Sequence, residues 1–566
     1  MAQEILVYIS LIIGIAAVLA FLARLIKQPS IIAYLITGVI VGPLFLGLIG
    51  PTGQSSEIIQ LFAHLGVALL LFIVGLSLDF RVFKEVGGVS TLAGFAEIAI
   101  TGLIGFLIAL GIGFSFTSAL YMATALAFSS TVVVVKILSD KKEMDTLHGR
   151  ITLGILIVED FVAAIALMTI PLLNEGGSIL NILLQLGYAI GIIIAIFLFA
   201  IFALPKVLNN LAKNQEALFL FGIAWALLIS LLFDKVGFSI EIGALIAGMA
   251  LASSKYTLEL GGKIKPLRDF FVVLFFVYFG SQLVTSVNWQ MIKIALLFSA
   301  FVIIGKPIIV MSMLRIFGYK KRTNFLAGSS LAQISEFSLI IVLVGYSLGH
   351  ITQETMSLAV LIAIITIGVS SYSIYYSHNI FNKLSRVLGV FEGKKNERKK
   401  SSKEDYDVIL FGYHRMGYKI GNTLKKLNIP FIVVDYNPKV VLSLAKEKIN
   451  CVYGDAGDKE FLEELNLNKA KLIISTIPDS DSNFILSEKL QDIGSTAVFI
   501  ATTEQPKIAI DLYKQGVDYV AIPQHLGGDY VASMIEEFGV EKIKYRKKGE
   551  NHYHELKKKR NESNYL

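Results

Sequence analysis

Two adjacent acidic residues, Glu159 and Asp160, stand in the middle of the apolar run LGILIVEDFVA. An ionised side chain at the centre of a bilayer costs on the order of 3 kcal/mol, so an acid at that depth points to an ion pathway. Adjacent residues project about 100° apart on an α-helix, so the two acids can face different surroundings. A buried carboxylate of this kind can alternate between a proton and a metal cation. The alternative is a structural ion pair.

A basic residue, Lys306, lies deep in a second apolar run, FVIIGKPIIV. A lone ammonium is as costly there as a lone carboxylate, so we expect a buried acid as its partner. Glu159 is the first choice. The alternative is that the side chain of Lys306 extends along its helix toward the membrane surface.

Hydroxyl and acidic residues also occur inside two further apolar runs, AFSSTVVVV and AQISEFSLI. The first holds Ser130 and Thr131, and the second holds Glu336. They fit two interrupted helices whose freed carbonyls and half-helix ends coordinate an ion, with Glu336 offsetting positive helix ends. Hydrogen bonding between packed helices is the alternative explanation. His64, Glu97 and Glu241 each lie near the end of a predicted apolar run or lack an evident partner, and we assign them no direct role.

The chain that positions these candidate residues is 566 residues long. Of its residues, 54% are hydrophobic and only 17% are charged. In soluble domains about 25% of the residues are charged, so the composition excludes an enzyme that is water-soluble over its whole length. The single cysteine, Cys451, excludes a disulfide framework. Apolar runs of roughly 20 residues can cross a bilayer. We predict thirteen crossings, at 5–25, 29–48, 57–78, 87–113, 116–138, 148–173, 178–204, 215–233, 238–254, 266–285, 289–314, 322–348 and 354–377.

The connections between these runs differ in charge. Basic residues concentrate in alternate connections, whereas the opposite ones hold Lys235 and Lys293. The positive-inside rule then predicts an external N-terminus and a cytoplasmic C-terminus. The sequence also repeats itself around an odd seventh run, which is typical of inverted-repeat transporters. The matching segments are 69–78 with 274–283, 126–131 with 331–336, and 35–38 with 245–248.

The character of the chain changes after its apolar part. We predict four regions: a transmembrane domain at 1–390, a charged linker at 391–405, an α/β domain at 406–525, and a helical basic tail at 526–566. In the third region six apolar strands (DVILFGY, FIVVD, CVYGD, KLIIST, AVFIAT and DYVAIP) alternate with helical stretches. That alternation indicates a parallel sheet of Rossmann type.

The first of these strands is followed by a glycine-rich turn, GYHRMG, in which Gly412 and Gly417 flank His414. Backbone amides and a helix N-terminus in such a turn can bind phosphate. His414 replaces the middle glycine of the usual fingerprint, so the motif alone is weak. The strand-end residues Asp435, Asp455 and Thr476 complete the candidate nucleotide site, with Asp435 suited to ribose hydroxyls.

Taken together, these motifs resemble the Kef-type members of the monovalent cation:proton antiporter-2 superfamily. The segments that carry the resemblance are QPS at 28–30, LITG at 35–38, LFIVGL at 71–76, AFSSTV at 127–132, FFVYFG at 275–280 and LAQISEF at 331–337. The resemblance implies a dimer that works by alternating access, with Asp160 as the cation and proton carboxylate and Lys306 as its basic partner. Glutathione-gated potassium-efflux members carry glutamine where this chain has Glu159, which puts glutathione gating in doubt. The cytosolic domain resembles the TrkA-N (RCK) domain, which implies a regulatory nucleotide such as AMP, ADP or NAD(H).

We therefore expect a multi-pass protein of the cytoplasmic membrane that exchanges K⁺ or Na⁺ for H⁺. Its lipid-embedded part forms a homodimer and binds cation and proton at Glu159, Asp160, Ser130 and Thr131. No enzyme activity, nucleic-acid partner, required cofactor or metal other than the transported cation is predicted. The alternatives are a nucleotide-gated cation channel, which the lack of a T-V-G-Y-G filter disfavours, and an inactive nucleotide sensor. The sequence leaves the choice between K⁺ and Na⁺, and the stoichiometry, open.

Overall fold

The computed structural model of the chain describes residues in two compact units. The first unit comprises residues 1–144 and 148–394, and the second comprises 145–147 and 395–566. The predicted linker at 391–405 lies outside the described residues from 394 onward. The described residues are 2–49, 54–77, 88–141, 143–144, 146–169, 179–211, 214–235, 240–252, 254, 256–283, 288–393, 406–413, 415–435, 438–454, 456–457, 459–477 and 479–562.

Apolar helices build the first unit, as expected for a chain that satisfies its backbone hydrogen bonds inside a bilayer. Two helices are separated by the π-helical turn Phe301–Gly305, and a 3₁₀ turn, Val387–Phe391, follows the last helix. The helices are α1 (Ala2–Leu25), α2 (Ser30–Val41), α3 (Gln54–Ser77), α4 (Gly88–Ile112), α5 (Phe116–Ala127), α6 (Thr131–Asp140), α7 (Leu147–Thr169), α8 (Ile179–Phe202), α9 (Leu204–Leu211), α10 (Gln215–Lys235), α11 (Ile240–Leu251), α12 (Thr257–Ser281), α13 (Trp289–Ala300), α14 (Lys306–Ile316), α15 (Lys321–Ser330), α16 (Glu336–Ser347), α17 (Gln353–Tyr375) and α18 (Ser377–Leu384).

The length of these helices bears on how many of them cross the membrane. Among the described residues, 7 helices or continuous helix pairs are long and apolar enough to cross, or 8 if α8 and α9, which meet at a bend of 53°, form one span. Helices α2, α11 and α16 are apolar but shorter. Every predicted run overlaps a helix or a helix pair, but the count of thirteen crossings stays a prediction.

One predicted boundary was wrong. The tenth apolar run was expected to begin at Pro266 after a loop, whereas α12 begins at Thr257 and contains Pro266 in its interior. The first turns of α12 carry charged residues, but they also have a buried face, since Leu260 and Ile264 are 0% exposed. The two residues stand four apart, on one side of the helix. They pack so closely on Gly222 of α10 that a Cβ there would lie 2.8 Å from Ile264.

The packing of four glycines follows the sequence repeat. A Cβ on Gly38 would lie 2.1 Å from a backbone oxygen of α12, and one on Gly280 would lie 2.2 Å from a backbone oxygen of α2. The pair Gly75 of α3 and Gly248 of α11 meets in the same way, at 2.3 and 2.1 Å. The repeat matches Gly38 with Gly248 and Gly75 with Gly280, so each contact is the counterpart of the other. The arrangement is the one expected of two related halves.

The second unit is a parallel α/β domain. Its six strands, in the order β3-β2-β1-β4-β5-β6, form one sheet in which all described pairings are parallel. All six predicted strands are confirmed. The strands and helices are β1 (Val408–Phe411), α19 (Arg415–Lys426), β2 (Phe431–Asp435), α20 (Pro438–Lys446), β3 (Cys451–Tyr453), α21 (Lys459–Glu464), β4 (Leu472–Ser475), α22 (Ser480–Asp492), β5 (Val498–Thr502), α23 (Pro506–Lys514), β6 (Tyr519–Ala521), α24 (Pro523–Phe538) and α25 (Lys542–Glu562).

Both faces of this sheet are buried. Along β1, Ile409 and Phe411 enter one hydrophobic core while Val408 and Leu410 enter another. Successive strand residues point to opposite faces, so a strand covered on both sides reads as a continuous apolar run. The strand order reverses at β1 and β4, which places a crevice at the carboxyl ends of the central strands.

Candidate functional site

Two helices of the first unit are interrupted, and serines begin the second half of each. Helix α5 stops at Ala127 and α6 starts at Thr131, where the Ser130 hydroxyl accepts a hydrogen bond from the Val133 amide at 3.2 Å. Helix α15 stops at Ser330 and α16 starts at Glu336. There the Ser335 hydroxyl accepts from the Phe337 amide at 3.1 Å. A serine cap of this kind satisfies a backbone donor that the interrupted helix would otherwise leave free.

The two interruptions touch each other. The Ser129 hydroxyl donates to the Leu331 carbonyl at 3.2 Å, and the Gln333 amide donates to the Ser130 carbonyl at 3.4 Å. Further along, the Ser338 hydroxyl donates to the Ala125 carbonyl at 2.5 Å. Each break thus supplies partners for backbone groups that the other break has freed, which is what allows non-helical backbone at membrane depth.

The two adjacent acids of α7 lie beside the point where the two helix breaks touch, which we call the helix crossing, and they face it from different sides. Glu159 is 0% exposed and accepts a hydrogen bond from the Ser129 amide. It also shares the single proton of the Ser129 hydroxyl with the Leu331 carbonyl, each oxygen lying at 3.2 Å. Asp160 is half-buried, and both of its carboxylate oxygens lie near the Thr131 hydroxyl, at 3.1 and 3.0 Å. The separation follows from the rotation between neighbouring helix positions. One acid is locked into the bundle and the other keeps an accessible surface.

The basic residue Lys306 follows the π-helical turn, the type of helix irregularity that is frequent at functional sites. Its ammonium donates to the carbonyl of Ala127, the last residue of α5, at 2.7 Å. It lies 3.9 Å from Glu159, the expected partner, but only 3.5 Å from Glu97 of α4. The Thr101 hydroxyl in turn donates to Glu97 at 2.9 Å. Lys306 therefore has two acidic partners where the sequence suggested one.

The acid Glu336 is the first residue of α16, and it is 5% exposed. A carboxylate at the first turn offsets the positive end of its own helix. The Ser130 hydroxyl and the Val132 amide, at the start of α6, are its neighbours. Asp160 has Glu336 as a charged neighbour as well. Asp160, Thr131, Ser130 and Glu336 thus form a group of neighbouring oxygen-bearing side chains, which we call the Asp160 site.

Sequence reasoning missed two residues of the crossing. Glu97 was assigned no role, yet it is 0% exposed in the middle of α4. An acid inside an apolar run was the signal available, the same signal that singled out Glu159. Gln333 is also 0% exposed, and its side-chain oxygen accepts from the Ser370 hydroxyl. No charge marked it in the sequence. His64 and Glu241 do have a partner, since they meet at 3.0 Å.

The candidate nucleotide site lies at the turn after β1. Gly412 adopts a φ of 84°, a conformation that favours glycine. A Cβ on Gly417 would lie 2.1 Å from the Gly412 carbonyl oxygen, so this glycine permits the close approach of α19 to the strand. These are the roles of the first and last glycines in dinucleotide-binding turns. His414 and Asp455 lie outside the described residues.

The remaining candidates of this site contact the same turn. The carboxylate of Asp435, at the end of β2, accepts from the Tyr413 amide at 2.8 Å and is 6% exposed. The Thr476 hydroxyl, beyond β4, lies 3.1 Å from the carbonyls of both Phe411 and Gly412. Asp435 and Thr476 therefore hold the glycine turn in place as well as flanking the crevice.

An apolar bundle built from two related halves, with carboxylates at the crossing of two broken helices, defines an ion-coupled secondary transporter. The sodium/hydrogen exchanger transmembrane family matches residues 10–375, and the TrkA-N domain matches residues 408–523. The first match covers more than half of the chain. The chain therefore belongs to the sodium/hydrogen exchanger family and carries a C-terminal TrkA-N domain.

Individual relatives agree with this assignment. The chain is 28% identical to the putative cation/proton antiporter YbaL of Escherichia coli, over 82% of this chain and 85% of that protein. It is 27% identical to the glutathione-regulated potassium-efflux system protein KefC of Salmonella schwarzengrund, over 89% and 80%. It is 30% identical to K(+) efflux antiporter 4 of Arabidopsis thaliana, over 64% and 60%. The resemblance to Kef-type antiporters is confirmed, and the protein is a cation:proton antiporter.

A solved structure supports the fold. The sodium proton antiporter MjNhaP1 of Methanocaldococcus jannaschii matches 69% of this chain and 99% of its own, with a TM-score of 0.52 at 17% identity. At that identity the match speaks for the fold alone. The predicted fold class, a polytopic helical bundle with a C-terminal Rossmann-like domain, is confirmed apart from the exact number of crossings.

Proposed function

We propose that Asp160 is the group that trades a proton for the transported cation, and that the favoured cation is K⁺. The observation that carries the proposal is the contrast between the two acids of α7: Asp160 is half-buried, whereas Glu159 is 0% exposed and held by Ser129. An exchanging carboxylate needs access to solution, and a fully enclosed one has none. The preference for K⁺ over Na⁺ is suggested by the potassium-efflux names of two relatives.

The Asp160 site contains the oxygen ligands that a bare alkali cation requires. The Thr131 hydroxyl lies at 3.0 Å from the Asp160 carboxylate, and Ser130 and Glu336 stand close by. Hydroxyl and carboxylate oxygens replace part of the water shell of a hard cation. Protonation of Asp160 removes the negative charge that holds the cation and lets it leave. Proton and cation therefore compete for one carboxylate, and this competition couples their movements.

The broken helices bear on how the Asp160 site reaches the two sides of the membrane. The half-helices α6 and α16 begin beside Asp160, at Thr131 and Glu336, and the breaks of α5–α6 and α15–α16 hydrogen-bond to each other. We propose that the crossing moves as one body, so that the Asp160 site faces the two membrane surfaces in turn, as in alternating access. Lys306, with its hydrogen bond to Ala127, fixes the end of α5 within that body. The channel alternative gains no support, since the matched family consists of exchangers.

The second unit regulates transport, and we propose that it does so by binding an adenine nucleotide such as AMP, ADP or NAD(H). The glycine turn presents backbone amides for phosphate. Asp435 stands at the end of β2, where an acid can accept hydrogen bonds from ribose hydroxyls. We further propose a homodimer in the cytoplasmic membrane, with the N-terminus outside and the TrkA-N domain in the cytoplasm, as the asymmetry of basic residues between the connections suggests.

The test is exchange by the full-length protein reconstituted in lipid vesicles that contain a pH indicator. A gradient of KCl or NaCl drives proton movement in the wild type, and we expect Asp160→Asn to abolish it. The matched control is Asp140→Asn, the same chemical change at an acid that is 54% exposed at the end of α6. Proton-coupled exchange by Asp160→Asn at the wild-type rate would refute the assignment. K⁺ flux that moves no protons and does not saturate would favour a channel.

Regulation is tested with Asp435→Asn. Since a neutral amide is a poorer acceptor for two ribose hydroxyls than a carboxylate, we expect at least a tenfold weaker response to added nucleotide. Basal exchange without nucleotide is measured in the same vesicles as a check on folding. An unchanged nucleotide response in Asp435→Asn would remove Asp435 from the site.

A further inference from the structure

Three ionisable side chains from three helices meet in a fully enclosed cluster. Glu97 of α4, Glu159 of α7 and Lys306 of α14 are each 0% exposed. The Lys306 ammonium lies 3.5 Å from Glu97 and 3.9 Å from Glu159. We call these three residues the buried triad. Among them, Glu97 has no part in the exchange proposed for Asp160.

The charges of the buried triad do not balance when all three groups are ionised. Two carboxylates and one ammonium leave one net negative charge away from water. An uncompensated buried charge is strongly destabilising, and a protein avoids it by neutralising one of the groups. One proton on either carboxyl group makes the triad neutral.

The hydrogen bonds indicate which carboxyl group holds that proton. Both oxygens of Glu159 face donors: Oε2 faces the Ser129 amide, and Oε1 faces the Ser129 hydroxyl, whose single proton is shared with the Leu331 carbonyl. Within the part of the chain that the structure describes, Glu97 accepts from the Thr101 hydroxyl at its Oε1, and its buried Oε2 has no hydrogen-bond partner. The Glu159 carboxyl group is a neighbour of the Glu97 carboxyl group. Since an ionised carboxylate only accepts, two of them cannot hydrogen-bond to each other, whereas a protonated Oε2 can donate to its neighbour.

We propose that Glu97 holds a proton of its own, which it donates in a hydrogen bond to Glu159 beside Lys306 and which stays in the protein while Asp160 exchanges. The proposal rests on the proposed role of Asp160 as the exchanging group. Glu97 is then a positioning residue: it keeps Glu159 ionised and oriented, and Glu159 and Ala127 together hold the Lys306 ammonium.

A retained proton has a consequence for the transport reaction. The buried triad is neutral throughout the cycle, so only Asp160 changes its charge state. The exchange is Asp160–COOH plus K⁺ giving Asp160–COO⁻·K⁺ plus H⁺. One positive charge enters the site as one leaves it. The geometry therefore favours one-for-one exchange that moves no net charge across the membrane.

Infrared spectroscopy of the full-length protein in lipid detects the proton directly. Between pH 6 and 8 we expect a carboxylic-acid C=O band that is sensitive to H₂O/D₂O exchange and present in both the wild type and Asp160→Asn. It is lost in Glu97→Gln. It is also lost in Glu159→Gln, because Glu97 then becomes the only acid facing Lys306 and ionises. Glu336→Gln, a change at another buried acid, keeps the band.

The outcomes separate this proposal from the proposed function. A band that is absent from the wild type, or unaffected in both Glu97→Gln and Glu159→Gln, would overturn the retained proton. A band lost only in Asp160→Asn belongs to Asp160 and would overturn it as well. If instead the band behaves as expected while Asp160→Asn still exchanges, the retained proton stands and the role of Asp160 fails. Steady charge movement during wild-type exchange, recorded on a solid-supported membrane, would contradict the electroneutral stoichiometry.

Discussion

Two clusters of ionisable groups in the first unit combine acidic and basic side chains in opposite proportion. The buried triad sets two carboxylates, Glu97 and Glu159, against one ammonium, Lys306. The second cluster lies between α6 and α7 and surrounds one carboxylate, that of Glu143. Lys141 lies 2.8 Å from it, and two imidazoles lie at 3.1 Å. We call this second group the Glu143 cluster.

The ratio of acidic to basic groups decides whether the carboxyl groups of each cluster keep a proton or are anionic. With acids in excess, the buried triad is neutral only when it keeps a proton. With bases in excess, the Glu143 cluster holds its carboxylate as an anion. Burial alone raises the pKa of Glu143, but hydrogen bonds from His148 and His378, together with the charge of Lys141, hold the pKa below its ordinary range. Burial is shared by the two clusters, so the balance of partners makes the difference.

The largest effect is expected from removing the base of the buried triad. Lys306→Met leaves two enclosed acids without a cation and frees the Ala127 carbonyl. Breaking a buried pair in this way costs about 3–5 kcal/mol, so we expect the largest fall in melting temperature of the series in detergent-solubilised protein, together with loss of exchange in vesicles.

A double variant sharpens this prediction. Lys306→Met combined with Glu159→Gln removes one of the two acids that Lys306 leaves behind, and we expect it to regain part of the lost melting temperature. Lys136→Met, at an exposed lysine, is the control for the substitution itself. Equal melting temperatures for Lys306→Met and Lys136→Met would show that the enclosed charges are not coupled.

A smaller and pH-dependent effect is expected at the Glu143 cluster. Hydrogen bonds to a charged group contribute about 1.5–3 kcal/mol, so Glu143→Gln lowers the melting temperature at pH 7. A folded-state pKa held below the ordinary glutamate value of about 4.3 stabilises the protein above that pH. This stabilisation is lost as the pH falls below it toward the folded-state pKa.

The measurement compares melting temperatures of wild type and Glu143→Gln from pH 7 down to pH 3. We expect the gap between the two proteins to be full at pH 5 to 7 and to narrow below about pH 4. A gap that stays constant down to pH 3 would mean that the charge of Glu143 contributes nothing. Glu392→Gln, at an acid that is 26% exposed beside Lys320, shows how much of the change any surface acid produces.

The parts of the molecule that could be predicted are those that local sequence patterns specify. The six strands of the TrkA-N domain followed from local patterns, because apolar runs bounded by turn residues specify strands over a few positions. The interrupted helices followed from hydroxyl residues inside apolar runs. Glu159 and Lys306 stood out because each is a charge where charge is rare.

What the sequence could not supply was the pairing. Glu97 meets Lys306 only because α4 and α14 pack together, and nothing in the run around Glu97 records a partner more than 200 residues away. The Glu143 cluster likewise joins a loop to His378 at the start of α18. Local patterns set which residues are unusual, while tertiary packing sets how many acids share one base.

The smallest effect is expected where neither burial nor number of partners contributes. Lys136 and Asp140 stand four residues apart on α6, at 3.0 Å, with 72% and 54% of their side chains exposed. An exposed pair with this spacing contributes about 0.3–0.5 kcal/mol, and salt screens it. Asp140→Asn should therefore shift the melting temperature less than Glu143→Gln, and the shift should vanish in 1 M KCl. A loss as large as that of Glu143→Gln would mean that partner geometry alone, without enclosure, governs the contribution of these clusters to stability.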